Sequence, residues 1–219
     1  AYLAVDLLKR LPAGNALSAE WLPRVASGKA RISVAHPVNP LTADAENADL
    51  LLLWHQDEVH ALKPSQTRLT ANESIDMSRR LSRVEWTPGA ASRVCDAVAG
   101  CAIWPDVLNR AGVALAAQLV GLASRMLDLG VDHSAQRKQF GKPVGSFQAV
   151  KHHLADVAVK IEFARPVVFR AAYAMQENDP LRAVHVSHAR LAAGEAARLA
   201  ARRSIQVHGA MGYTWEADL

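Results

Sequence analysis

From Pro105 to Ser204 the apolar residues of this chain recur at the three- and four-residue spacing of a helix, in three runs separated by short punctuated stretches. Leu108, Ala111, Leu115, Leu119, Leu122, Met126 and Leu129 form the first, and Phe147, Val150, Leu154, Val157, Ile161, Ala164 and Val168 the second. The third, Ala183, Val186, Ala193, Ala197, Ala200 and Ser204, is built on alanine, which favours close backbone approach and rules out a coiled-coil seam. Each run predicts a helix of about 25–30 residues, roughly 40 Å long. Short connections make the three antiparallel neighbours, and a fourth helix of a bundle is missing on the C-terminal side. Asp179-Pro180 forms the second turn, with Pro at a helix-start position. Pro166 predicts a kink or a local fault in the second helix.

Ahead of these runs the pattern changes twice. Residues 1–29 read as two short helices. Val5-Asp6-Leu7-Leu8-Lys9-Arg10 ends at Pro12 and Gly14, and Ala19-Glu20-Trp21-Leu22 is capped by Ser18 and stopped by Ser27-Gly28. Residues 30–88 read as a small sheet or partial barrel of about four or five strands, with apolar or alternating runs at 30–35, 50–54, 59–62 and 83–86. Residues 89–104 read as a Gly- and Ala-rich connector opening the last part, 89–219. The expected class is mainly α: a C-terminal antiparallel bundle of long helices, preceded by a reduced β region and short N-terminal helices.

A chain of 219 residues can bury a real core as one large domain or two small ones. Half of its residues are apolar and 21% are charged, as in ordinary soluble proteins. The net charge of +4 suits a partner carrying phosphates, though scattered arginines on solvated helix faces are the simpler source. No uninterrupted apolar run reaches the roughly 18 residues of a membrane span. The opening Ala1-Tyr2-Leu3-Ala4-Val5-Asp6 lacks the basic start of a signal peptide, and beginning on Ala fits a fragment or a processed chain. Cys95 and Cys101 make no disulfide framework and read as free thiols in a reducing cytoplasm.

The break between the first two helical runs holds Arg137, Lys138, Gln139, Phe140, Gly141, Lys142, Pro143, Val144, Gly145 and Ser146. Ser146 stands as a candidate N-cap for the helix that starts at Phe147. A helix N-terminus with an Arg beside it suits a phosphate, and Phe140 and Phe147 offer flat surfaces for a purine. On residue chemistry alone, a capped turn with a solvated Arg and Lys serves as well.

Resemblance sharpens this. Residues 137–156, RKQFGKPVGSFQAVKHHLAD, resemble the acyl-CoA dehydrogenase signature R-x-Q-F-G-x-P-[IV]-x-x-F-Q-x-V-x-H-x-L-A-D. Residues 206–214, QVHGAMGYT, are similar to that family's Q-x-H-G-G-x-G-Y-T, with Ala210 in place of the second Gly. The stretches around Trp21-Leu22-Pro23 and Ser78–Val84 match more loosely. The resemblance implies α,β-dehydrogenation of acyl-CoA thioesters, in which a Glu removes the α-proton and the β-hydride passes to flavin N5. It also implies that Arg137 and Gln139 face the pyrophosphate of FAD and Phe140 its adenine side. Phe147 and Gln148 would line the same cofactor, and Gln206, Val207, His208, Gly209 and Ala210 would close it. In the family's homotetramers these parts serve FAD bound mainly by a neighbouring subunit.

Three departures qualify that expectation. The family's G-S-D and W-I-T-N-G segments against the flavin ring have no counterpart in residues 30–87. The usual base, in a Y-E-G-T segment beyond the G-Y-T turn, is not reached before Leu219. The alternative base position and its Arg fall on Ala111 and Gly112, with Asn109 and Arg110 off register. Glu216 and Asp218 are the remaining carboxylates near the expected region, and Glu216 reads as a helix-start acid. No catalytic residue is assigned. The chain therefore resembles the trimmed subunit of a heteromeric actinobacterial enzyme acting on steroid side-chain CoA esters. It would pair with a complete subunit, as α2β2, or with itself as a homotetramer, and pass electrons to an external acceptor. The alternative is a degenerate member acting as a structural subunit without flavin. His185 with His188, and His152 with His153, lack a third metal ligand. The Arg182, Arg190, Arg198, Arg202 and Arg203 set lacks the recognition helix or aromatic platform of a nucleic-acid binder.

Overall fold

Four consecutive leucines, Leu50 to Leu53, lie in one strand with at most 4% of any of them exposed. Side chains alternate across a strand, so such a run is stable only where both faces of its sheet are covered. The computed structural model, which describes residues 2–217, covers both. The chain forms two compact units that divide between Leu108 and Asn109.

In the first unit the sheet runs β1 (Ile32–Ala35), β3 (Leu50–His55), β4 (Glu58–Leu62), β7 (Arg93–Cys95). A second sheet runs β2 (Thr42–Ala43), β6 (Leu81–Glu85), β5 (Arg68–Asn72). The β1–β3 pair is parallel, and every other pair in these sheets is antiparallel. Leu50 and Leu52 face α1 (Tyr2–Arg10) and α2 (Ala16–Ala26), in a core with Leu7, Leu8, Trp21 and Trp104. Leu51 and Leu53 face Leu62, Leu69, Val84 and Trp86 beneath the second sheet. Gln56 and Asp57, with φ of 47° and 65°, form the two-residue turn between β3 and β4, as a tight hairpin requires. Fully buried His60 on β4 is held by Ser92 Oγ and Glu58 Oε2, each at 2.9 Å. Glu58 also pairs with Arg93, whose hydrogen bond, foremost, holds the Glu58 carboxyl below its ordinary pKa.

Several expectations change here. Six strands form between residues 30 and 88, against the four or five expected, because β2 is two residues long and β5 is mostly solvated. The connector at 89–104 does not exist as such: it contains β7 and the start of α3, which runs Ala97–Gln136 with Pro105 inside it. Asp96 starts that helix by accepting the Ala99 N–H at 2.9 Å. Asn15, not Ser18, caps α2, and the Ser18 hydroxyl donates instead to the Leu8 carbonyl at 2.7 Å. By length and composition α3 could also span a membrane, its most apolar 18-residue window averaging 1.3 in hydropathy, although no uninterrupted apolar run does.

The second unit holds the rest of α3 with α4 (Gln148–Gln176) and α5 (Arg182–His208). Its core joins Ala116, Val120 and Ala123 to Val157, Ile161 and Ala164 and to Ala189, Ala193, Ala196 and Ala200. The helical class expected from the apolar period is the one observed, with α3 longer at 40 residues and α4 continuing through Pro166. Gly112 lies against Val186 and Arg190, and Gly130 against Leu154 and Ser204, so α3 and α5 run parallel and α4 runs against both. Asn178, at φ 53°, closes α4 while Asp179 N–H reaches back to the Ala174 carbonyl at 2.9 Å. That is a Schellman ending with Asn in the left-handed position.

Gly100, in the first turn of α3, faces the β3–β4 turn so closely that an added Cβ would land on the Asp57 carbonyl. Backbone cannot step aside as a side chain can. Gly100→Ala is therefore expected to cost at least about 2–3 kcal/mol in denaturant unfolding. Gly194→Ala, with open space around it, should cost nothing beyond helix-propensity effects.

Candidate functional site

Because α3 and α5 are parallel and α4 opposes them, the last turns of α3 and α5 and the first turns of α4 come to the same end of the second unit. There they enclose a cavity of about 480 Å³, within the range of small-molecule sites. His133 comes from α3, Ala149, Val150 and His153 from α4, and Gln206, Val207 and His208 from α5. The remaining wall is the α3–α4 loop and the 3₁₀ turn Gly209–Tyr213.

The loop is a miniature hairpin in which β8 (Lys138–Gln139) pairs with β9 (Lys142–Pro143). Phe140 and Gly141 turn it with φ of 53° and 80°. Glycine accepts that conformation freely, whereas phenylalanine is strained in it. Phe140 is 90% exposed and meets Phe147 edge-on at 6.1 Å, while Lys142 Nζ stands 4.5 Å over the Phe147 ring. The hairpin is tied down by the Val144 N–H donating to the Arg137 carbonyl at 2.8 Å. Gly145 passes so near α3 that a Cβ would come within 3.0 Å of the Ser134 carbonyl oxygen.

The first turn of α4 has no side-chain cap. Phe147 occupies the N-cap position, and Ser146 donates to the Pro143 carbonyl at 2.7 Å, so the expected Ser146 cap is not formed. First-turn N–H groups of a long helix thus remain available at the cavity wall. On the far side of the motif, Gly209 turns the chain at φ 60°, ψ −136°, a region only glycine occupies without strain. Gly212 lies over Ile205, where a Cβ would come within 2.8 Å of its carbonyl. Ala210 is not among the residues with positive φ, so the departure from the second Gly of the motif costs no backbone strain.

Nine of the ten residues singled out in the sequence line this one cavity: Arg137, Gln139, Phe140, Phe147, Gln206, Val207, His208, Gly209 and Ala210. Gln148 does not; it is the exposed first residue of α4. Sequence reasoning missed His133 and His153. Each is one of several histidines without a pattern, and only the convergence of helix ends brings them to the wall. His133 stacks on His208 with centroids 4.2 Å apart and planes 28° from parallel. Burial first, then the neighbouring His208 and Arg137, hold the His133 pKa below the usual imidazole value. Among the described residues, no Asp or Glu lines the cavity. A cation, open backbone donors and flat apolar rings in one concavity suit a ligand that carries phosphates beside an aromatic ring system.

The candidate positions for a base contribute little. Gly112 has no room for a side chain, since a Cβ would come within 2.6 Å of Val186 Cγ1. Glu216 is exposed in a turn after the 3₁₀ segment, not at a helix start, and the Thr214 hydroxyl foremost lowers its pKa. Asp218 lies outside the described residues. His185 sits in the first turn of α5, 3.9 Å from Asp179.

The profile "Acyl-CoA dehydrogenase, C-terminal domain" matches residues 99–219. The chain is 38% identical over 155 residues to acyl-CoA dehydrogenase IpdE2 of Mycobacterium tuberculosis, which covers 70% of this chain and 44% of that protein. The chain thus spans less than half the length of that relative. In three dimensions it matches a glutaryl-coenzyme A dehydrogenase–glutaryl-CoA complex with a TM-score of 0.82 at 22% identity, over 97% of this chain and 64% of the other. It also matches the steroid ACAD Tcur3481-Tcur3483 with a TM-score of 0.81 at 21% identity, over 99% and 66%. These likenesses establish the fold.

Phe140 bears on the cavity wall and not on the core. Phe140→Asn, which tolerates the left-handed conformation, is expected to stabilise the protein by about 1 kcal/mol in denaturant unfolding. Destabilisation would mean that the ring packs in a way its exposure does not reveal.

Proposed function

The chain belongs to the acyl-CoA dehydrogenase family, and from that premise we propose that it supplies the adenosine–pyrophosphate half of an FAD site and the helical core of an oligomer. The enzyme it serves removes hydrogen from Cα and Cβ of an acyl-CoA thioester, and FAD, when bound, accepts the β-hydride. The observation that carries this reading is the meeting of both family motifs at one cavity with a guanidinium and, among the described residues, no carboxylate. Arg137 would pair with the pyrophosphate, the open N-terminus of α4 would add backbone donors, and Phe140 with Phe147 would flank the adenine. Gln139 and Gln206 supply neutral hydrogen bonds at the rim, and the backbone of 207–210 closes it.

Three further features support the finer reading. Leu115 and Leu122 on α3, Phe163 and Phe169 on α4 and Leu191 on α5 are 41–73% exposed, which suits helices that bury a face against another subunit. We assign no base in this stretch, because the alternative base position and the Arg beside it are filled by Ala111 and packed Gly112. The similarity to IpdE2, and the fold shared with a steroid ACAD whose name joins two components, favour a heteromeric enzyme acting on a steroid-derived CoA ester. A cytoplasmic setting suits the free thiols of Cys95 and Cys101.

The absorption spectrum of the protein, purified alone and with the chain encoded beside it, tests this. Flavin bands in the complex are expected; their absence from both preparations would leave a purely structural subunit. Within a flavin-bearing complex, Arg137→Ala should weaken FAD retention by roughly tenfold or more, the loss of a charge-assisted hydrogen bond. Arg170→Ala, at the other end of α4, should leave retention unchanged.

A further inference from the structure

The three histidines of the cavity have no role in the reading above beyond lining it. His208 is fixed by its own backbone, its Nδ1 lying 2.8 Å from the Ser204 carbonyl oxygen. A carbonyl only accepts, so Nδ1 carries the hydrogen and a neutral ring presents a lone pair at Nε2. A lone pair repels an anionic oxygen; a proton at Nε2 would turn the same atom into a charged donor. His133, stacked on this ring at 4.2 Å, is close enough to share that proton electrostatically, and two charges so near would repel. The pair as a unit therefore has room for one.

The field around the pair decides when that proton is held. The groups acting on His133 are His208 from α5 and Arg137 from the loop, and His153 of α4 lines the same cavity. All of them are neutral or positive, and among the described residues no carboxylate lines the cavity. Without an anion these surroundings disfavour charge on His133; a diphosphate reverses the sign of the field. We propose that the His133–His208 pair takes up one proton from solvent when a diphosphate-bearing ligand enters the cavity, becoming a cationic donor to it. This rests on the reading that the cavity takes the pyrophosphate of FAD.

The sign follows from linkage. The pair is neutral in the free protein above its free pKa and charged in the complex below its bound pKa. Between the two, one proton is bound on association, and affinity rises as pH falls, by at most about tenfold per pH unit. Above the bound pKa and below the free pKa the dependence flattens.

FAD itself is the suitable probe, because its pyrophosphate is a diester with no proton to lose near neutral pH. The protein purified from its native host, with any chain that copurifies, is stripped of flavin and titrated with FAD by fluorescence at several pH values around neutrality. Calorimetry in two buffers of different ionisation heat then counts protons. The expected result is uptake of about one proton, and affinity that climbs several-fold from about pH 8 to about pH 6. His133→Gln with His208→Gln should abolish both while leaving binding measurable. FAD binding without proton uptake would overturn the proposal and leave the FAD reading intact. So would an unchanged pH slope in the folded double variant. Failure of the native-host preparation to bind FAD at any pH would remove both. Should the double variant not fold, the wild-type proton count decides alone.

Discussion

The cavity exists because α3 and α5 lie side by side at the separation that glycine and alanine permit. Gly112 meets Val186 and Arg190, and Gly130 meets Ser204, with no Cβ between them. The Ser204 hydroxyl donates across that seam to the Met126 carbonyl at 2.7 Å, in a fully buried position. Its own carbonyl in turn holds His208. One residue thus joins helix packing to the orientation of a ring at the site. Small residues set the spacing, spacing sets the parallel course of α3 and α5, and that course delivers their last turns to the place where α4 begins.

Such a meeting of helix ends is not neutral. Two C-termini contribute partial negative charge and one N-terminus partial positive charge, each confined to about a turn. Arg137 in the lining and Lys142 over the Phe147 ring, with no carboxylate among the described lining residues, tip the balance toward anions. The strain of Phe140 fits the same picture: a left-handed bulky residue persists where its neighbours hold it, here in a hairpin tied through Val144 and pressed against Ser134. The exposed ring gives folding little and gives a ligand a flat surface.

Much of this was legible in the residues. The helical class followed from apolar period alone, since a stripe at three- and four-residue spacing over so many turns has no other compact solution. The two motif stretches lie far apart in sequence, and it is the α4–α5 hairpin, marked by Asp179-Pro180, that brings them back together. Local competition was harder to read. Ser18 and Ser146 both look like caps, yet each hydroxyl reaches a nearby carbonyl instead, and Asn15 and Phe147 take the cap positions. Strands β2 and β7 are too short to show a period, and the helical turns before Pro105 lie in a stretch whose Gly and Ala content reads as a connector. His133 and His153 carried no signal, because their meaning depends on which helix ends converge.

Whether a diphosphate-bearing cofactor sits at this convergence of helix ends can be seen in a crystal structure of the flavin-loaded complex. Adenosine diphosphate density is expected between residues 137–140 and 206–210, with the Arg137 guanidinium on the pyrophosphate. Flavin bound with this cavity empty, or with Arg137 turned away to solvent, would contradict it.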